Sequence, residues 1–224
     1  IIFNQVILPL AISFFTFQQI IYLVDSYRGK SKEYSFLHYC LFVTFFPQLI
    51  AGPILRGNQL IPLLRKKISF KKENIKFGIL LFLIGFSKKI FFADTIGQFI
   101  DPIFLNPLIF SSEYILVASL LFPLQIYFDF SGYVDMALGI SNILGIKLPI
   151  NFDRPYLSKS LTEFWRRWHI TLSKWFRDYV YVPLGGSRFS ETKTYYNLLI
   201  TMSVAGLWHG SSWNFILWGF IHGL

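Results

Sequence analysis

Apolar runs of about twenty residues, separated by short clusters of lysine and arginine, set the terms on which this chain can fold. A helix rises about 1.5 Å per residue, so roughly 30 Å of hydrocarbon is crossed by about 20 mostly apolar residues. The runs 1–24, 75–92, 113–130 and 195–224 approach or exceed that length. Charged residues are 15% of the 224 and apolar residues 54%, whereas about 25% of a soluble domain is charged. So few charges cannot clothe a soluble globule of this size, and lipid removes the need. The net charge of +9 does not point to nucleic acid. Its Lys and Arg lie between apolar stretches, as in cytoplasmic loops, and not along one basic face. Membrane lipids are the expected surroundings.

The individual runs carry further information. Pro9, Gln18 and Gln19 within 1–24 predict a helix that faces protein or a wet cavity along part of its surface, because lipid cannot satisfy amide groups. The shorter run 38–50 enters Pro47-Gln48-Leu49-Ile50-Ala51-Gly52-Pro53, and the prolines and glycine predict a broken or re-entrant segment. The densest basic stretch, 65–76, reads as a cytoplasmic loop or interfacial helix. Lys88 and Lys89, near the far end of 75–92, are expected to snorkel to an interface. Residues 94–112 read as a loop, since Asp101-Pro102 and Asn106-Pro107 disfavour helix. A span over 113–130 is followed by a predicted kink at Asp129-Phe130-Ser131-Gly132 and a second short span over 132–148. Asp129 and Asp135 then sit at or near membrane depth, where acids are costly and are expected to be paired or to reach water.

Residues 161–182 differ in kind. Leu161, Phe164, Trp165, Trp168, Leu172, Trp175, Phe176 and Tyr179 recur at helical spacing, with Glu163, Arg166, Arg167, Lys174, Arg177 and Asp178 between them. This pattern predicts a basic, aromatic amphipathic helix lying in the membrane surface. His169 falls on its apolar side, near Trp165 and Leu172, where it serves either packing or chemistry. Pro183-Leu184-Gly185-Gly186-Ser187-Arg188 reads as a turn, and Gly206 and Gly210 interrupt 195–224 around His209.

Cys40 is the sole cysteine, so an intrachain disulfide is excluded and a small buried hydrophobe is the expected role. Glycine-rich phosphate loops, His-Glu-x-x-His zinc patterns and Gly-x-Ser-x-Gly elbows are absent, so no metal is expected. Of four histidines, His38 reads as interfacial and His222 lacks context. His209 stands in Gly206-Leu207-Trp208-His209-Gly210-Ser211-Ser212-Trp213-Asn214, inside an otherwise apolar run. An ionisable group there either acts in a polar passage or locks helices by hydrogen bonds to Ser211, Asn214 or a carbonyl. Trp165, Arg166, Arg167 and Trp168 offer stacking and phosphate pairing for a coenzyme A or phosphopantetheine arm, although anchoring to anionic lipid uses the same groups.

The blocks Phe164-Trp165-Arg166-Arg167-Trp168-His169-Ile170-Thr171-Leu172-Ser173, Arg177-Asp178-Tyr179-Val180-Tyr181-Val182-Pro183-Leu184-Gly185-Gly186 and Leu207-Trp208-His209-Gly210, with Trp213-Asn214, resemble the membrane-bound O-acyltransferase family. Tyr127-Phe128-Asp129-Phe130-Ser131-Gly132-Tyr133 and the Pro47 to Pro53 segment are similar to its alginate and peptidoglycan O-acetyltransferase branch, close to the D-alanyl transfer proteins of teichoic acid. The resemblance implies an all-α, multi-pass protein of the bacterial inner membrane, a ring of transmembrane helices around a tunnel with interfacial amphipathic helices. The chain is expected to be one fragment of that core, 1–224, with flanking spans missing at both ends; it opens on Ile1 and shows no signal-peptide pattern.

The resemblance further implies His209 as the catalytic histidine, expected to act as general base, and His169 as the second one; the residues themselves put donor binding at Trp165, Arg166, Arg167 and Trp168, and Ser211 and Asn214 are the expected substrate-positioning residues. The implied reaction moves an acyl group, acetyl in the first instance, from a cytoplasmic thioester to a hydroxyl of an extracytoplasmic polysaccharide or of a relay acyltransferase partner. Acetyl-coenzyme A or an acyl-carrier phosphopantetheine thioester is the expected donor, with no bound cofactor. D-alanyl transfer to teichoic acid, a transporter or flippase, and a non-catalytic scaffold are the competing expectations.

Overall fold

In lipid, two helices gain little by hiding apolar side chains from each other, so they associate where small residues let their backbones approach. The computed structural model shows this in the first of two compact units, Ile1–Ile150 and Asn151–Leu224. It describes residues 11–30, 34–49, 52–68 and 70–224; the start of the 1–24 run with Pro9, and Ile50-Ala51, lie outside them. All regular elements among the described residues are helical.

The first unit contains α1 (Ile12–Tyr27), α2 (Phe36–Thr44), α3 (Phe46–Leu49), α4 (Gly57–Leu64), α5 (Lys72–Ser87), α6 (Thr95–Leu105) and α7 (Ser112–Ile143). The short α2 and α3, parted at Phe45, match the broken segment that Pro47 predicts. Gln48 is buried there and its amide donates to the Phe42 carbonyl at 2.8 Å. Phe42, Leu60, Ile61 and Ile146 form the adjoining apolar core.

The most extensive packing in the unit is α5 against α7. Gly78 and Gly85 on α5, seven residues apart, meet Gly139 and Gly132 on α7, also seven apart. A Cβ on Gly78 would lie 2.5 Å from the Gly139 carbonyl oxygen, and one on Gly85 would lie 2.5 Å from that of Gly132. The heptad interval keeps the glycines on one seam of two antiparallel helices. Leu80, Leu83, Phe91, Leu116 and Leu120, away from the seam, are more than half exposed. Of the described helices, α7 alone is long and apolar enough to span a membrane.

Three expectations are corrected here. The 94–112 loop is instead largely helix: α5 continues through a π turn, Lys88–Asp94, into α6, and Pro102 is accommodated inside α6. Ile100, Ile103 and Ala118 bury themselves between α6 and α7, and that packing outweighs the local cost of proline. The kink at Asp129-Phe130-Ser131-Gly132 does not form, so 113–130 and 132–148 are not two spans; α7 runs unbroken through it. Gly132 serves close approach there and does not bend the helix.

Lys88 and Lys89 do not snorkel outward. Lys88 pairs with Asp135 at 2.6 Å, and Lys89 pairs with Asp129 at 2.5 Å and Asp94 at 2.8 Å. The widened π turn lets two consecutive lysines reach α7 together, and each acid predicted at membrane depth finds its cation.

The second unit contains α8 (Leu161–Arg167), α9 (Ile170–Phe176), α10 (Glu191–His209) and α11 (Trp213–Gly223). Serine hydroxyls cap three of these helices, with Ser160 accepting from the Glu163 amide, Ser190 from Lys193 and Ser212 from Asn214. The predicted turn around Gly185-Gly186 forms, and the Asn197 side chain donates to the Gly186 carbonyl at 2.8 Å to tie it to α10.

Replacing Gly139 with Leu is expected to wedge α5 from α7 and destabilise the protein by about 1–3 kcal/mol. A lower unfolding temperature of the intact protein in detergent checks this. Gly97→Ala, whose Cβ meets nothing nearer than 3.5 Å, is expected to leave that temperature unchanged or raise it.

Candidate active site

The amphipathic pattern of 161–182 predicts one continuous surface helix, and the structure breaks it in two. Trp168 is extended and His169 takes a left-handed conformation, φ 41 and ψ 54. A non-glycine residue held there costs of order 1–3 kcal/mol, so its surroundings must impose it. The start of the second unit does so. The Asn151 carbonyl accepts from the Ile170 amide at 2.9 Å, while its side-chain oxygen accepts from the Thr171 amide at 3.1 Å and the Thr171 hydroxyl at 2.7 Å. The Asp153 amide donates to the Arg167 carbonyl at 3.0 Å on the other side of the break. These long-range bonds replace the helical ones that 161–182 would otherwise make.

His169 is therefore the N-cap of α9 and not a member of one apolar stripe. Its side chain is 3% exposed. Burial first, then the charge of His209, push its imidazole from the ordinary 6.5 down to about 3.

His209 is the last residue of α10, where the chain turns at Gly210 into α11. A Cβ on Gly206 would collide with the Phe215 carbonyl, and one on Gly219 with that of Met202; each glycine lies 3.1 Å from the position of the other's Cβ. Gly206 thus draws the two helices together and does not break α10. The close approach sets His209 against α11, with ring centroids 5.0 Å from Trp218 and 5.9 Å from Phe215.

A cavity of about 890 Å³ opens in this unit, and His209, Trp165, Arg166, Lys174, Arg177 and His222 are among its lining residues. None of its lining residues is a carboxylate. His222, which has no context in the sequence, shares this cavity because it lies one helical turn beyond Trp218 on α11. Its ring stands 4.6 Å from Trp218 and 5.5 Å from Trp165, and Trp165 in turn meets Trp218 edge to face at 5.7 Å. The interval of thirteen residues from His209 to His222 conceals this proximity, which depends on the sharp turn at Gly210.

The remaining predicted site residues lie elsewhere. Arg167 bonds Glu163 at 2.7 Å, and Trp168 packs against Phe152 and Phe164, so neither lines the cavity. Ser211 and Asn214 are exposed at the turn between α10 and α11, beside His209 in sequence but outside the cavity lining. His38 bonds Ser35 at 2.7 Å in the first unit.

Exposed apolar helix surfaces and one helix long and apolar enough to span a membrane place the chain among helical membrane proteins. The chain is a member of the membrane-bound O-acyltransferase family, whose sequence model matches residues 5–224. It is 44% identical to the peptidoglycan O-acetyltransferase of Helicobacter pylori, over 98% of this chain and 47% of that protein. It is 42% identical to the probable alginate O-acetylase AlgI of Pseudomonas aeruginosa, over 100% of this chain and 43% of that protein. The teichoic acid D-alanyltransferase of Streptococcus thermophilus is 32% identical, over 96% of this chain and 55% of that protein. The chain spans about half the length of these curated relatives.

A buried histidine with a lowered pKa binds fewer protons folded than unfolded between pH 6.5 and about 3. Its contribution is present above pH 6.5 and is lost as pH falls toward 3. The unfolding temperature of the intact protein in detergent is expected to drop between pH 7 and pH 4, and to drop less in His169→Gln. Parallel curves would contradict the buried, neutral imidazole.

Proposed function

We propose that the intact protein is a membrane O-acyltransferase that moves an acetyl group from a cytoplasmic thioester to a hydroxyl of an extracytoplasmic cell-envelope polysaccharide, directly or through a relay acyltransferase partner. The donor is acetyl-coenzyme A or an acyl-carrier phosphopantetheine thioester, and the protein works as a multi-pass component of a bacterial inner membrane. Residues 1–224 form part of one catalytic core, a ring of helices around a tunnel. The observation that carries this reading is His209 at a helix end in a cavity with cations and no carboxylate among its lining residues.

The chemistry follows from that lining. A thioester is already activated, so the step needs a base at the hydroxyl and a site that holds the reactants together. His209 takes the hydroxyl proton as the oxygen attacks the thioester carbon. The C–S bond then breaks, and the departing thiolate recovers the proton from the His209 imidazolium. Arg166, Lys174 and Arg177 supply positive charge for donor phosphates and the sulfur anion, and Trp165 supplies an aromatic surface. Arg167 and Trp168 support this donor site from outside the cavity, Ser211 and Asn214 orient the acceptor beside His209, and His169 is a positioning residue.

Acetyl is preferred to D-alanyl because the acetyl-transferring relatives are 42–44% identical and the D-alanyl-transferring ones 32–33%. Membranes carrying the intact protein are expected to transfer label from acetyl-coenzyme A, and His209→Ala to lower the rate about 10²–10⁴-fold. Transfer that survives this change with folded protein would contradict the assignment, and solute transport that survives it in the absence of transfer would favour a transporter.

A further inference from the structure

A tetrahedral intermediate at a thioester carbon places negative charge on the former carbonyl oxygen, and that oxygen needs hydrogen-bond donors already in position. Cations at the cavity can hold phosphates, but directional N–H groups are better suited to an oxyanion in a site lined by indoles. Two such groups stand together. Trp165 Nε1 and His222 Nδ1 are both buried, and neither has a hydrogen-bond partner among the described residues. Both side chains line the cavity that holds His209, and their rings meet edge to face at 5.5 Å.

An indole N–H only donates, so Trp165 requires an acceptor, and a neutral imidazole carrying its proton on Nδ1 requires one as well. Leaving either unpaired is costly. Trp218 touches Trp165, His209 and His222, so one indole fixes the separation between the base and this donor pair.

Resting on the acyltransferase reading, we propose that Trp165 and His222 form the oxyanion site of the reaction, donating from Nε1 and Nδ1 to the thioester carbonyl oxygen while His209 acts on the hydroxyl. His222 works here as a neutral donor, not as a second base. No proton leaves either ring: both hydrogen bonds tighten as the C–O bond forms and relax when the C–S bond breaks. The assignment gives Trp165 a directional role beyond stacking. It also accounts for a second imidazole in the cavity whose lining holds no carboxylate to orient it.

The test uses the intact protein in membranes with labelled acetyl-coenzyme A, comparing wild type, Trp165→Phe, His222→Phe and His222→Gln. Phenylalanine keeps a ring and removes the donor; glutamine restores a side-chain N–H. The expected result is a fall of about 10²–10³-fold in kcat for each phenylalanine variant, with KM for acetyl-coenzyme A within about threefold of wild type, and partial recovery of kcat in His222→Gln. Unfolding temperatures in detergent identify variants that fail to fold, and the judgement then rests on those that do. Unchanged kcat in folded Trp165→Phe and His222→Phe overturns the donor pair and leaves the acyltransferase reading standing. So does a loss confined to KM, or a folded His222→Gln as inactive as His222→Phe. Absence of transfer by wild type overturns the coenzyme A thioester reading and this inference with it.

Discussion

The contact on which the second unit depends is glycine against backbone between α10 and α11. Small residues let two apolar helices gain dispersion over a close interface. Gly206 and Gly219 allow that approach, and the turn at Gly210 makes it antiparallel. The consequence is chemical. His209 ends one helix, Trp218 and His222 lie one turn apart on the other, and the crossing holds the rings within contact distance. A methyl group on either glycine would meet a backbone carbonyl of the facing helix, that of Phe215 or Met202, and force the two helices apart.

Charge is handled differently in the two units. In the first, Lys88 and Lys89 are matched by Asp135, Asp129 and Asp94, a pairing that makes ionisable groups tolerable in an apolar setting. In the second, Arg166 and Lys174 line a cavity whose walls contain no carboxylate, with Arg177 beside them although it also bonds Asp178. Positive charge at the edge of a cavity without carboxylates suits an anionic ligand. The lysine and aspartate pairs therefore read as architecture, and the cationic cavity as a place where something binds.

Much of this was legible before any coordinates. Apolar run length and basic clusters gave the membrane class, the prolines after His38 gave the broken helix, and the motif around His209 singled out a histidine that lies at the end of α10 against Trp218. What stayed hidden depended on contacts distant in the chain. No local pattern within 161–182 foretells the break at His169, because Asn151 and Asp153 impose it with hydrogen bonds from outside the segment. Pro102 misled because propensity gave way to burial of Ile100 and Ile103 against α7. Gly132 and Gly206 looked like interruptions, since sequence cannot distinguish a glycine that bends a helix from one that admits a neighbour. His222 could have been found by continuing the four-residue interval back to Trp218, but only with its partner helix known.

The central claim is that the thioester donor occupies the cavity between Trp165, Arg166, Lys174, His209 and His222. Photocross-linking of the intact protein with a coenzyme A analogue bearing a photoreactive acyl group, followed by peptide mapping, tests it most directly. The account predicts adducts concentrated on peptides containing Trp165, Trp218 and His222, diminished by excess acetyl-coenzyme A. Adducts confined to residues 11–150, or spread without regard to competitor, would contradict it.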